Sequence, residues 1–299
     1  MSSPLPPASP TDAGPAAPGR HSPAAEFWRK FRKKKVGVAS GLFILLLLIV
    51  AVIGPSIAPY PMEKPDYNHI LAGASFAHPA GTDEFGRDIF SRILVGTRIS
   101  LWVGFSSVFL GAVFGTFLGL ISGFYGKWID TLIMRFCDIL FAFPGILLAI
   151  GIIAILGPGL GNVIIAVSIY GIPVFARLVR GNTLALKASV YVEAATTVGA
   201  KNGRIIWKHI FPGTLSTIIV YFTMRIGMAI LTASSLSFLG LGAQPPTPEW
   251  GAMLSNGRAY LNTSPHVVIF PGIALFLSVL AFNLFGDELR DALDPKIRD

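Results

Sequence analysis

Residues Val36 to Ala58 read VGVASGLFILLLLIVAVIGPSIA and contain no charged side chain. An α-helix rises about 1.5 Å per residue, so a segment of this length can cross a bilayer hydrocarbon core about 30 Å thick. The run is too long for the apolar region of a signal peptide, and five further apolar segments follow it. It therefore predicts a transmembrane helix that the protein retains.

The other apolar segments predict five more spans, at approximately Ile99 to Tyr125, Thr131 to Leu156, Asn162 to Arg180, Gly213 to Gly240 and His266 to Gly286. Of the 299 residues, 53% are hydrophobic and 13% are charged, and the mean hydropathy is +0.64. This composition does not fit a soluble domain with a charged surface. We predict an all-α polytopic membrane protein with six transmembrane helices and both termini on one side.

The positive charges predict which side that is. Eighteen of the 24 Lys and Arg residues lie in the N-terminal tail, the turn after the second span, the loop after the fourth span and the C-terminus, whereas the alternate loops hold five. Because basic loops resist translocation, we expect both termini to be cytoplasmic. The net charge of +8 sits between apolar runs, which favours membrane lipid over nucleic acid as its partner.

Composition also divides the chain into segments. Residues 1–25 are rich in Pro, Ala, Ser and Gly and predict a disordered cytoplasmic tail, and the basic and aromatic EFWRKFRKKKV that follows is typical of an interfacial segment. We assign the interfacial segment and first helix to 26–60, an external loop to 61–98, a core with five spans to 99–286 with its cytoplasmic loop at 190–212, and a cytoplasmic C-terminal tail to 287–299.

Two glycine patterns carry structural predictions. The second span has glycines at four-residue intervals, which share one helical stripe and predict a helix-packing face: Gly111, Gly115, Gly119 and Gly123. A pore-lining stripe is the alternative. The GPGLG segment at 157–161 predicts a tight outer turn.

No catalytic constellation is found in the sequence. The five histidines are scattered, without HExxH or CxxC spacing, and Cys137 is the only cysteine. Gly126 and Lys127 are followed by Trp128, so they do not form a phosphate-binding P-loop. We expect no catalytic residue, no metal site and no cofactor.

The cytoplasmic loop VYVEAATTVGAKNGRIIWKHIFPG, residues 190–213, is the most informative segment. Tyr191 to Val198 favours a short helix with a small-residue surface, Gly199 permits a turn, and Pro212 suits the start of the next helix. A helix with a flat alanine face can dock into a groove of another protein.

This loop resembles the EAA loop of binding-protein-dependent ABC import permeases. The matching positions are Glu193, Ala194, Ala195, Gly199 and Pro212. The resemblance assigns them to coupling with an ATPase, together with Tyr191 at the start of the short helix. His209 and Phe211 depart from the family's usual Ile and Leu. For Glu193, a contact at the ATPase groove stands beside a simpler role as a helix-start residue favoured by the helix dipole.

Three longer segments are similar to the C-type permeases of dipeptide and oligopeptide importers. They are HPAGTDEFGRDIFSR at 78–92, LSFLGLGAQPPTPEWGAML at 236–254 and LAFNLFGDELRDALDPK at 280–296. Within that subfamily, residues 134–150, 175–187 and 222–254 most resemble glutathione-import permeases. The resemblance implies a type I ABC importer permease fold in the bacterial cytoplasmic membrane. It also implies a homologous B-type permease as heterodimer partner, two separate ATPase subunits, an extracytoplasmic substrate-binding protein and a short peptide substrate.

Arg225 is the ionisable residue nearest the middle of a predicted span. It could face the translocation path and meet a peptide carboxylate, or it could pair with Asp138. Both alternatives stay open from the sequence.

The external GTDEFGRD segment, residues 81–88, predicts a turn-rich loop closed by internal ion pairs or one that touches the binding protein. The rival function is a secondary transporter or channel driven by an ion gradient, which needs membrane-buried carboxylates. Asp138 alone comes close to that position.

Overall fold

The computed structural model describes residues 31–293, and within this range the chain forms ten α-helices and no named strand. The predicted tail 1–25 and residues 26–30 of the interfacial segment lie outside it. The helices are α1 (Lys35–Ile57), α2 (Ile89–Tyr125), α3 (Lys127–Phe141), α4 (Gly145–Leu156), α5 (Leu160–Lys187), α6 (Val190–Thr197), α7 (Asn202–Ile205), α8 (Phe211–Phe238), α9 (Trp250–Gly257) and α10 (His266–Leu293). A π-helical turn, Ile206–Ile210, joins α7 to α8.

Five helical runs are long and apolar enough to cross a membrane, and the pair α3 and α4 makes a sixth if the two count as one span. This agrees with the predicted number of spans. The predicted span from Thr131 to Leu156 consists of two helices, because α3 and α4 meet at 91°. Pro144 supplies the reason: it lacks an N–H group and disfavours helical backbone at Phe143.

Several helices extend beyond the predicted spans. The second begins at Ile89 rather than Ile99, and the Asp88 carboxylate caps it by accepting from the Ser91 N–H at 2.7 Å. Arg92, expected in the external loop, is instead a helix residue with 2% exposure that donates to the Met62 carbonyl at 2.8 Å. The last helix continues to Leu293, so the predicted C-terminal tail begins as helix.

The glycine stripe of α2 packs against α5, which confirms the predicted packing face. A Cβ placed on Gly119 would lie 2.6 Å from the Ala176 carbonyl oxygen and 2.8 Å from the Val179 Cβ, and Gly115 meets α5 equally closely. Because α2 has no side chain at these glycines, its backbone approaches α5 closely along the length of the stripe.

The GTDEFGRD loop is closed by internal ion pairs, as one of the two alternatives predicted. The Asp83 carboxylate accepts from Arg87 Nε at 2.7 Å and lies 3.5 Å from Arg92 Nε. Burial raises the pKa of the Glu84 carboxyl in the same loop. Asp83, Glu84 and Arg87 line one small cavity together with Met253 and Asn256, so the loop lies beside α9.

Helix α1 lies at the edge of the bundle and packs on α2 and α10. Lys34, just before α1, places its Nζ 2.8 Å from carboxylate oxygens of both Glu288 and Asp291. These two carboxylates raise the pKa of Lys34 through hydrogen bonding.

Candidate functional site

Helix α6 contains the EAA residues and is fixed to the bundle by one apolar side chain. Val192 is 2% exposed and belongs to a buried cluster with Leu120 of α2, Val179 of α5 and Ile206 and Ile210 of the π-helical turn. Burying a Val side chain contributes about 1.5–3 kcal/mol. The short helix therefore has an anchor on three other helical segments, although a helix of its length is unstable alone.

The opposite face of α6 is exposed. Glu193 and Ala194 are both accessible, and large apolar side chains flank them: Val190 is 82% and Val198 is 85% exposed. Ala195 is half-buried and lies on the same helix. An exposed surface with alanines between two projecting valines has the shape and polarity of a docking surface for another protein.

The end of α6 explains the need for glycine at position 199. The Ala200 N–H donates to the Ala195 carbonyl at 3.1 Å, and the Gly199 N–H donates to the Thr196 carbonyl at 3.0 Å. This pair of bonds defines a Schellman motif, in which the residue after the C-cap takes left-handed backbone angles. Gly199 has a φ of 82°, so the predicted turn is confirmed.

A hydrogen bond joins α6 to the π-helical turn that leads into α8. The Tyr191 hydroxyl donates to the His209 carbonyl at 3.2 Å, and the Tyr191 and His209 rings lie 6.5 Å apart. Pro212 occupies the first turn of α8, as predicted. The missing N–H of Pro212 coincides with a π-helical turn just before it, where the regular hydrogen-bond ladder is interrupted.

The six predicted coupling residues therefore fall on one connected structure. Tyr191, Glu193, Ala194 and Ala195 lie on α6, and Gly199 caps it. Pro212 lies in the first turn of α8, directly after the π-helical turn to which Tyr191 is bonded. The predicted short helix within residues 190–212 is present as α6. The segment is mostly helical, because α7 and the π-helical turn continue directly into α8.

Arg225 does not pair with Asp138. The Asp138 carboxylate accepts from Arg177 Nη2 at 2.6 Å, and Arg177 also lies over the Phe141 ring. Among residues 31–293, Arg225 makes neither a hydrogen bond nor an ion pair, and its guanidinium lies 5.6 Å from the centre of the Tyr170 ring. The pairing of Arg225 with Asp138 is wrong, because Arg177 of α5 forms the ion pair with Asp138 instead.

A niche of about 230 Å³ opens beside Arg225, where the α3–α4 bend leaves room. The side chains and backbone around it come from α4, α5 and α8: Gly145, Ile146, Tyr170, Arg225, Met228, Leu231, Thr232 and Ser235. Sequence reasoning missed Tyr170 and Gly145. The Phe143–Pro144 step was the available signal, since a proline inside an apolar run often marks a broken membrane helix.

Two family models match this chain. Residues 115–299 match the binding-protein-dependent transport system inner membrane component, and residues 22–78 match the N-terminal transmembrane domain of oligopeptide transport permease C.

The curated relatives include the glutathione transport system permease protein GsiD of Pectobacterium atrosepticum. It is 58% identical over 278 residues, which cover 93% of this chain and 92% of the relative. The protein of the same name from Escherichia coli O157:H7 has the same identity and coverage.

Solved structures share the fold at low identity. The MetNI methionine ABC transporter, in an inward-facing conformation, has a TM-score of 0.52 at 20% identity, covering 68% of this chain and 97% of that chain. An amino acid ABC transporter has a TM-score of 0.51 at 16% identity, covering 66% and 91%. These two structures support the arrangement of helices alone.

Proposed function

Because this chain belongs to the family of binding-protein-dependent ABC import permeases, we propose that it moves short peptides, and glutathione in particular, into the cell as one half of a two-permease channel. The similarity to GsiD across 93% of the chain carries the choice of substrate. The chain is a multi-pass permease subunit of a bacterial inner-membrane importer. Such permeases work with ATPase subunits and a binding protein.

The proposed complex has further subunits. The permease pairs with a homologous B-type permease, two separate ATPase subunits bind its cytoplasmic face, and the binding protein delivers substrate to the outer face. Both termini and α6 are cytoplasmic in this arrangement, as the distribution of Lys and Arg favours.

The exposed face of α6 is the proposed contact with the ATPase. Val192 packs against α2, α5 and the π-helical turn, and the Tyr191 hydroxyl bonds to the same turn, so a displacement of α6 reaches α2, α5 and the turn that continues into α8. Packed elements transmit motion as rigid bodies because their cores resist continuous deformation. Glu193 is exposed between Val190 and Ala194, where it can form an ion pair with a basic residue of the ATPase groove.

Arg225 is the proposed residue of the translocation path. An ionisable side chain within a membrane-spanning helix is costly unless it meets water or a partner. Asp138 is bonded to Arg177, and Arg225 borders the niche beside Tyr170, so we assign this niche to the water-filled path. The ion-gradient alternative depended on Asp138, and that carboxylate is ion-paired and exposed.

Site-directed cross-linking tests the proposed docking surface. Ala194→Cys is expected to form a cross-link to the co-expressed ATPase with a short thiol reagent, whereas Leu261→Cys on a loop after α9 is the control and should not. Native Cys137 has 0% exposure and gives little background. Absence of a cross-link from Ala194→Cys in a copurified complex would reject α6 as the contact.

A further inference from the structure

We propose that the niche around Arg225 binds the carboxylate end of a peptide during translocation, an inference that rests on the import function proposed above. The niche contains one guanidinium group whose donors are unoccupied within residues 31–293. A guanidinium presents its N–H groups in a planar fork that fits a carboxylate with two parallel hydrogen bonds. A free carboxylate is therefore the ligand group that Arg225 fits best.

The two hydroxyl groups of the niche indicate which ligand group can bind next to the carboxylate. The Thr232 hydroxyl donates to the Met228 carbonyl at 2.8 Å, and the Ser235 hydroxyl donates to the Leu231 carbonyl at 2.8 Å. Each proton is thereby committed to the helix backbone, and only acceptor lone pairs remain for a ligand. The niche accordingly offers acceptors to an N–H group, such as the amide that precedes a peptide's C-terminal carboxylate.

The volume limits how much of a peptide can enter. Pockets that enclose drug-sized ligands occupy about 300–1,000 Å³, so about 230 Å³ suits one end of a peptide and not the whole molecule. Exposed Met228 and Leu231 line the open side. A partial, open site binds weakly, which suits a transport path because a substrate that binds must also leave.

Gly145 positions the aromatic wall of the niche. A Cβ at this residue would lie 2.5 Å from the Tyr170 ring, so any larger side chain would displace the ring. The ring lies 5.6 Å from the Arg225 guanidinium and contributes a cation–π contact. Gly145 and Tyr170 therefore act on the ligand through Arg225, as positioning residues.

The test compares uptake of two peptides by the full complex in proteoliposomes with ATP and the binding protein. The probes are a labelled tripeptide with a free C-terminal carboxylate and the same tripeptide with a C-terminal amide. Uptake by each variant is divided by wild-type uptake of the same peptide, so the selectivity of the binding protein cancels. Arg258→Gln is the matched control, because Arg258 also lies over an aromatic ring, that of Phe238, but outside the niche.

Arg225→Gln should lower uptake of the free acid about tenfold to a hundredfold, the range for losing a hydrogen bond to a charged group. Uptake of the amide should change less than about twofold, and Arg225→Lys should retain most of the preference for the acid. Gly145→Ala should reduce the same preference without altering copurification with the ATPases.

Equal losses for both peptides, or no loss for either, would refute the niche while import by the wild type still stands. Failure of the wild-type complex to accumulate either peptide would reject the import function, and the niche with it. Copurification of each variant with the ATPases separates a selective transport defect from failed assembly.

Discussion

Gly199 gives the sharpest test of how α6 is built. Its φ of 82° lies in the left-handed region, which costs a residue with a Cβ about 1–2 kcal/mol. A Cβ at this position would meet nothing within 4 Å, so crowding contributes no penalty. Gly199→Val therefore destabilises the Schellman turn through the backbone alone, by a factor of about 5–30 in its equilibrium.

The assay is ATP-driven peptide uptake by reconstituted complexes with matched permease content. We expect uptake to fall in the order Gly, Asn, Ala and Val at position 199, because Asn tolerates left-handed backbone angles and a β-branched side chain does not. Gly203→Ala in α7 is the matched control: its Cβ also meets nothing, and its φ is not positive. Normal uptake by Gly199→Val, or an equal loss in Gly199→Asn, would refute the backbone explanation.

Three further predictions concern packing, charge and topology. Gly119→Val should overpack the α2–α5 contact and lower the free energy of unfolding by about 1–3 kcal/mol, measured as a lower thermal unfolding temperature of the detergent-solubilised complex. Gly161→Val, where a Cβ meets nothing, is the control, and an unchanged temperature in Gly119→Val would contradict the close approach. Lys34→Met should cost at most about 1 kcal/mol, with less effect at high salt. Because the folded pKa of Lys34 is raised, its ion pairs stabilise the fold fully below the unfolded pKa, near 10.4, and are lost only as pH rises through the folded pKa. The loss of stability in Lys34→Met should therefore be constant from about pH 6 to 9, and a loss that varies across that window would disprove the role of the ion pairs. Cysteines at Lys201 and in the Pro245 to Pro248 loop should react with an impermeant reagent from opposite sides of intact cells and inverted vesicles, and reaction of both from outside would overturn the topology.

Hydropathy predicted the number of spans but not their ends. Arg92 was assigned to a loop because an arginine in isolation disfavours a buried helix. In the folded chain Asp83 lies beside its guanidinium, and the Met62 carbonyl, 30 residues earlier, accepts a hydrogen bond from it. The charge of Arg92 therefore made the predicted second span begin at Ile99, whereas the helix begins at Ile89.

The bend before α4 was missed for a different reason. The apolar composition continues across Phe143 and Pro144, so a hydropathy average detects no interruption there. The glycine stripe and the turn at Gly199, in contrast, depend on local backbone chemistry and could be read directly from the sequence.

The partner of Arg225 could not be predicted, because it depends on tertiary distances. The sequence offered Asp138 as a candidate partner. In the structure the Asp138 carboxylate is bonded to Arg177 of α5, which packs beside α3. The Tyr170 ring then becomes the neighbour of Arg225. Composition alone cannot rank two arginines that compete for one carboxylate.

Accumulation of labelled glutathione in proteoliposomes tests the central claim most directly. The vesicles contain this chain, its partner permease, the two ATPases and the binding protein. We predict accumulation against a gradient that requires hydrolysable ATP and the binding protein and that persists when a protonophore collapses the proton gradient. Uptake that proceeds without ATP and stops with the protonophore would contradict the account and favour an ion-gradient transporter.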